Sequence, residues 1–168
     1  MKELIAIAAL LFTAPTLALA QDGGHLYRGE GYVFIGVGTN SEANGLQCVG
    51  HTGGGGGVFV FKGLAVGSEI GTMGRPANGV GLFSIDPSYR LLSSTSKSKL
   101  VPFVDAGYTR TFGNDGFTHS DNLLNFGGGI YYWPFKRMGL RLDFRDYVDH
   151  SRVEISHFPA FRIGLAFR

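Results

Sequence analysis

The sequence predicts an all-β fold: an eight-stranded, antiparallel, up-and-down β-barrel that crosses a membrane with its strands. Three observations carry this. The closing stretch puts Phe161, Ile163, Leu165 and Phe167 on one side of an extended strand and Arg162, Gly164 and Ala166 on the other. Similar two-residue alternation recurs along the chain between turn signals. Beyond the first twenty residues there is no apolar run of about 18 residues, so a closed barrel is the one spanning option left.

Residues 1–20 read as a cleavable signal peptide. Lys2 supplies a charged start, 4–12 are apolar, and Ala18-Leu19-Ala20 is an A-x-A cleavage site before Gln21. No Cys stands at that point, which argues against a lipoprotein. Residues 21–168 then form the barrel domain, and export followed by membrane insertion implies the bacterial outer membrane.

The first segment is 30–39, with Val33, Ile35 and Val37 on one face and Tyr32, Phe34, Gly36 and Gly38 on the other. Residues 40–53 read as a long, Gly-rich polar loop, the best candidate for contacts outside the membrane. The second segment, 55–61, meets the third, 64–73, through a tight turn at Lys62-Gly63. Leu64, Val66 and Ile70 oppose Ala65, Gly67, Glu69 and Gly71. After a loop at 74–78, segment four (79–91) sets Phe83, Ile85 and Tyr89 against Ser84, Asp86, Ser88 and Arg90. A polar turn at 93–98 precedes segment five (99–112), where Val104, Ala106 and Tyr108 oppose Phe103, Asp105, Gly107 and Thr109. A loop at 113–120 leads to segment six (122–133) and a turn at 134–138. Segment seven (139–148) alternates Leu140, Leu142 and Phe144 with Arg141, Asp143 and Arg145. A loop at 149–156 precedes the closing segment. Connections after odd segments read as loops and those after even segments as tighter turns, the asymmetry of outer-membrane barrels.

The charges choose the face. Glu30, Glu69, Asp86, Arg90, Asp105, Arg141, Asp143, Arg145 and Arg162 share the side opposite the large apolar residues. An Arg facing lipid at mid-depth costs roughly 2–4 kcal/mol, so this side must be the lumen. Eight strands enclose a space just wide enough for side chains. Five acids and four arginines there imply a structural network of ion pairs, with glycines leaving room. Tyr131, Tyr132, Trp133 and Phe135, beside Lys136-Arg137, read as an interfacial aromatic girdle.

Other chemistries find little support. A net charge of +2 does not point to nucleic acid, and no basic cluster appears in the linear sequence; Ser96-Lys97-Ser98-Lys99 reads as a solvated turn. The 27 glycines follow no Gly-X-Y period, and 53–57 lack the Lys-Ser/Thr pair of a phosphate loop. Cys48 is a single free thiol in the first loop. No metal or other cofactor motif is present. His25, His51, His119, His150 and His157 are scattered; His119-Ser120-Asp121 and His150-Ser151 with Glu154 are the nearest approach to a hydrolytic triad. They lie in loops, and no G-x-S-x-G elbow accompanies them, so no catalytic residue is assigned.

On the signal peptide, the Gly/aromatic alternation, Phe126-Gly127-Gly128-Gly129-Ile130 leading into Leu140-Arg141-Leu142-Asp143-Phe144-Arg145, and the closing strand, the chain resembles the small OmpA-like outer-membrane β-barrel proteins over most of 29–168. The resemblance implies a non-enzymatic barrel with a structural, surface-interaction or weak porin-like role. It implies outer-membrane lipid and lipopolysaccharide as surroundings and the barrel-assembly machinery as a partner in biogenesis. Two alternatives stand beside it. One is a lipid A-modifying hydrolase, since lipid A 3-O-deacylases are also eight-stranded barrels. The other is an exported, soluble, lipocalin-like ligand-binding barrel, which would turn the apolar face inward.

Overall fold

The computed structural model describes residues 29–42, 45–61, 63–75, 78–91, 99–113, 121–150 and 155–168. The signal peptide, His25, His119, Ser120, Ser151 and Glu154 lie outside these residues. The strands are β1 (Gly29–Glu42), β2 (Gly45–Phe61), β3 (Leu64–Arg75), β4 (Asn78–Arg90), β5 (Leu100–Phe112), β6 (Asn122–Tyr132), β7 (Met138–Asp149) and β8 (Ser156–Phe167). Each pairs antiparallel with the next, and β1 pairs with β8 to close the barrel. Closure removes the sheet edge, so backbone polar groups find partners without water.

The period of two sets the faces as the side-chain chemistry demands. Ile35, Leu142 and Phe161 point outward and are 65%, 55% and 66% exposed. Their neighbours Phe34, Arg141 and Arg162 are buried inside. Along β6 the outward apolar stripe runs from Leu124 to Tyr132. Eight residues at about 3.4 Å each, tilted about 40°, span about 21 Å, close to the ~25 Å apolar band of a membrane barrel. This arrangement does not favour the lipocalin-like alternative, which needs the apolar face inside.

Three expectations are corrected, two about connections and one about the aromatic cluster. Residues 40–53 are not a long loop. β1 continues to Glu42 and β2 begins at Gly45, so Cys48, His51 and Gly53 belong to a strand. The polar composition of that stretch reflects a ribbon that outruns its neighbours: β1 pairs with β8 only as far as Gly38, and β2 with β3 only from Gly50. The next position of β8 is Pro159, which has no N–H to continue the ladder. Second, the loop asymmetry is not clean. β1–β2 and β3–β4 are separated by two residues each, whereas β4–β5 and β5–β6 are separated by nine each (91–99 and 113–121). Third, the aromatic cluster divides by parity. Tyr132 and Phe135 are exposed, but Tyr131 and Trp133 are buried in the lumen, stacked at 5.7 Å between ring centroids.

The turn between β2 and β3 is as tight as expected. Gly63 sits at φ +79, where a side chain would be strained, and its carbonyl accepts a hydrogen bond from the Arg90 amide at 2.8 Å.

Candidate functional site: the charged lumen

All nine charged residues assigned to the lumen point inward. Every strand except β2 and β6 contributes at least one of them. Their contacts close into a ring. Arg162 donates from Nη1 to Glu69 Oε1 at 2.7 Å and from Nε to Asp143 Oδ1 at 2.6 Å. Arg141 donates from Nε to Asp143 Oδ2 at 2.6 Å and reaches Asp105 Oδ2 at 3.3 Å. Arg145 donates to the same Asp105 oxygen at 2.8 Å and to Asp86 Oδ2 at 2.7 Å. It also lies 3.6 Å from Glu69 Oε1, which completes the circuit. Three guanidinium groups thus alternate with Glu69, Asp105 and Asp143, and Asp86 hangs from Arg145. A side branch runs from Arg141 Nη1 to the Tyr131 hydroxyl at 2.6 Å, and from that hydroxyl to Glu30 Oε1 at 2.9 Å. Glu30 also pairs with Arg90.

Alternation is the physical requirement. The ring residues and Asp86 are at most 7% exposed. A lone charge there would cost several kcal/mol, while charge-assisted hydrogen bonds to two or more partners offset much of that. Neutral donors add to the shell. Tyr32 donates to Glu69 Oε2 at 2.8 Å, and Asn125 donates to Asp86 Oδ1 at 2.9 Å and to Thr109 Oγ1 at 2.8 Å. Arg141 also lies 4.0 Å over the Tyr32 ring, and Arg162 lies 4.4 Å over Phe34.

β2 explains the glycines. Its inner face over 53–57 is bare, which admits the rings of the neighbouring strand. A Cβ at Gly55 would stand 2.9 Å from the Tyr32 hydroxyl and 2.6 Å from the Ser68 carbonyl oxygen. Gly53 makes the same room for Phe34. β2, one of the two strands without charges, is therefore the one that lets Tyr32 and Phe34 lie beneath the arginines.

An apolar cluster lies toward each end of the network. Toward the β1–β2 ribbon, Met73, Leu82, Leu123 and Tyr147 pack with Val49, Val80 and Phe158. Toward the other end, Phe103, Tyr131, Trp133 and Ala166 pack with Tyr32 and Val101. Between them a void of about 20 Å³ lies among Glu30, Tyr32, Asp86, Asp105, Arg141 and Arg145. That is room for about one water.

Sequence reasoning missed several participants. Tyr32, Ser84, Thr109, Asn125 and Tyr147 share the inward parity of the charged residues, and that parity was the available signal. His51 was placed in a loop; it is buried in the lumen, with its ring 4.9 Å from Phe34 and 5.7 Å from Tyr147. Asp146 has outward parity yet is 8% exposed, and its Oδ2 lies 2.7 Å from His157 Nδ1. This pair marks the upper limit of the apolar belt on β7 and β8. Among the described residues no group of three His, Cys, Asp or Glu side chains could hold a metal ion.

No protein-family model matches the sequence, and no curated protein matches it by sequence similarity. Solved structures do match. Neisserial surface protein A aligns with TM-score 0.60 and 15% identity, over 83% of this chain and 96% of that one. The N-terminal β-barrel domain of Pseudomonas aeruginosa OprF aligns with TM-score 0.62 and 15% identity, over 83% and 98%. A de novo designed transmembrane β-barrel aligns with TM-score 0.53 and 18% identity, over 84% and 97%. At these identities the likeness is one of fold, and it is the fold that the OmpA-like resemblance implies: the chain is a small, closed, eight-stranded transmembrane β-barrel.

Proposed function

We propose that this protein is a non-enzymatic barrel of the bacterial outer membrane, delivered there by cleavage of residues 1–20, whose role is structural and surface-facing rather than conductive. One observation carries the reading: a closed ring of alternating buried charges lies between two apolar clusters. An ion crossing this lumen would have to part buried ion pairs that hold five strands together. A porin-like role needs a wet path, and the void beside Glu30, Tyr32, Asp105 and Arg141 admits about one water.

The surface-facing part of the reading rests on the β1–β2 ribbon. It stands beyond the last rungs shared with β8 and β3 and takes over the role first given to a loop at 40–53. Lipopolysaccharide and outer-membrane lipid are the surroundings that the apolar belt fits, and the assembly machinery is the partner that such a barrel requires. The lipid A-modifying alternative gains no support from the described residues.

The test joins fractionation to electrophysiology. The mature chain is expected in the outer-membrane fraction and to migrate differently on a gel before and after boiling. In a planar bilayer the folded form is expected to pass no steady current. Recovery from the soluble periplasm without a gel shift would reject the barrel reading. A sustained open-channel current would reject the structural one.

A further inference from the structure

The fold gathers basic residues that are far apart in the chain. Lys99 stands just before β5, and its carbonyl accepts the Trp133 amide at 2.8 Å. Lys136 and Arg137 lie in the β6–β7 turn and are exposed. Arg168 follows β8; its amide donates to the Arg137 carbonyl at 3.1 Å and its Nε to the Lys136 carbonyl at 3.2 Å. The Arg168 guanidinium sits 4.1 Å over the Trp133 ring. Four cationic residues therefore meet at the ends of four adjacent strands, tied together by these backbone bonds, with Arg168 over the indole. No ion pair among the described residues engages Lys99, Lys136 or Arg137.

The surroundings specify the partner. The cluster borders the apolar belt, whose last outward residues here are Leu100, Tyr132, Met138 and Phe167. Phe135, in the same turn as Lys136, is 70% exposed. The three connections at this end contain five Lys or Arg and no Asp or Glu, whereas the four at the opposite end contain one Arg and three acids. Connections of one charge sign, with Lys99, Lys136, Arg137 and Arg168 next to a hydrocarbon-facing belt, complement a molecule with an anionic head and apolar tails.

We infer that the Lys99, Lys136, Arg137 and Arg168 cluster is a docking surface for the phosphate headgroups of anionic phospholipids in the leaflet that borders this rim. The inference rests on the transmembrane-barrel reading above. Acyl chains lie against Leu100, Tyr132 and Met138 while the headgroup phosphates meet the ammonium and guanidinium groups. Tyr132 and Phe135 sit between the two at the depth aromatic residues favour.

The test uses the mature chain refolded into vesicles of equimolar phosphatidylcholine and phosphatidylglycerol. Association of spin-labelled phosphatidylglycerol is compared with that of spin-labelled phosphatidylcholine. The comparison variants are Lys99→Gln/Lys136→Gln/Arg137→Gln and the charge-preserving Lys99→Arg/Lys136→Arg. Each basic group beside an anionic surface is worth about a fivefold change in affinity. Removing three is expected to lower the preference for phosphatidylglycerol by at least about tenfold, while the Arg variant keeps it. A gel shift on boiling, run on every sample, separates the two readings: no shift in the parent chain defeats the barrel reading. A shift with equal preference in the parent and Gln variants overturns this inference. So does charge-dependent binding of soluble polyglutamate in detergent without any lipid preference.

Discussion

Replacing Arg145 with Met tests the ring at its most connected point. Arg145 is 1% exposed and touches Asp86, Asp105 and Glu69. The three acids fare differently without it. Glu69 keeps Arg162 at 2.7 Å and the Tyr32 hydroxyl at 2.8 Å. Asp105 keeps Arg141 at 3.3 Å. Asp86, 6% exposed, keeps only the Asn125 amide. The cost is that of leaving one buried charge without a counter-ion, about 3–5 kcal/mol. With a urea m-value of about 2 kcal/mol per molar, the unfolding midpoint in vesicles should fall by about 2 M. Asp86→Asn alone leaves Arg145 with two acids and should cost about 1–2 kcal/mol. The double variant should be more stable than Arg145→Met, because the orphaned charge is gone. The cycle is therefore strongly non-additive. Additivity to within about 0.5 kcal/mol would show that Asp86 and Arg145 do not act as a pair and would refute the reasoning.

Three further outcomes follow from the same geometry. Gly55→Val should slow or abolish folding, since its Cβ meets the Ser68 carbonyl and the Tyr32 hydroxyl; the loss of the heat-dependent gel shift reads it, with a cost of about 1–3 kcal/mol or more. Leu142→Arg, on the outward face at mid-belt, should lose about 2–4 kcal/mol in lipid vesicles, and a smaller loss there would contradict the face assignment. Cys48 is exposed on the β1–β2 ribbon and should react with a membrane-impermeant maleimide in intact cells. Labelling only after lysis would invert the barrel.

The alternation of side chains settled how many strands there are and which face meets lipid, because a strand of period two cannot hide an arginine on the same side as Leu140, Leu142 and Phe144. It also marked every charged member of the ring, since Glu69 and Arg162 differ from their neighbours in kind. Partner choice was beyond its reach. Glu69 and Arg162 are 93 positions apart and meet only because the closed register brings β3 and β8 across the lumen from one another. The same holds for the length of β1 and β2. Residues 45–53 look like a loop in isolation, because their Gly-rich, polar composition carries no periodic signal; pairing with β1 on one side and, from Gly50, with β3 on the other makes them strand. The basic rim was equally hidden. Lys99, the Lys136-Arg137 pair and Arg168 are separate along the chain and come together only when four strands end side by side.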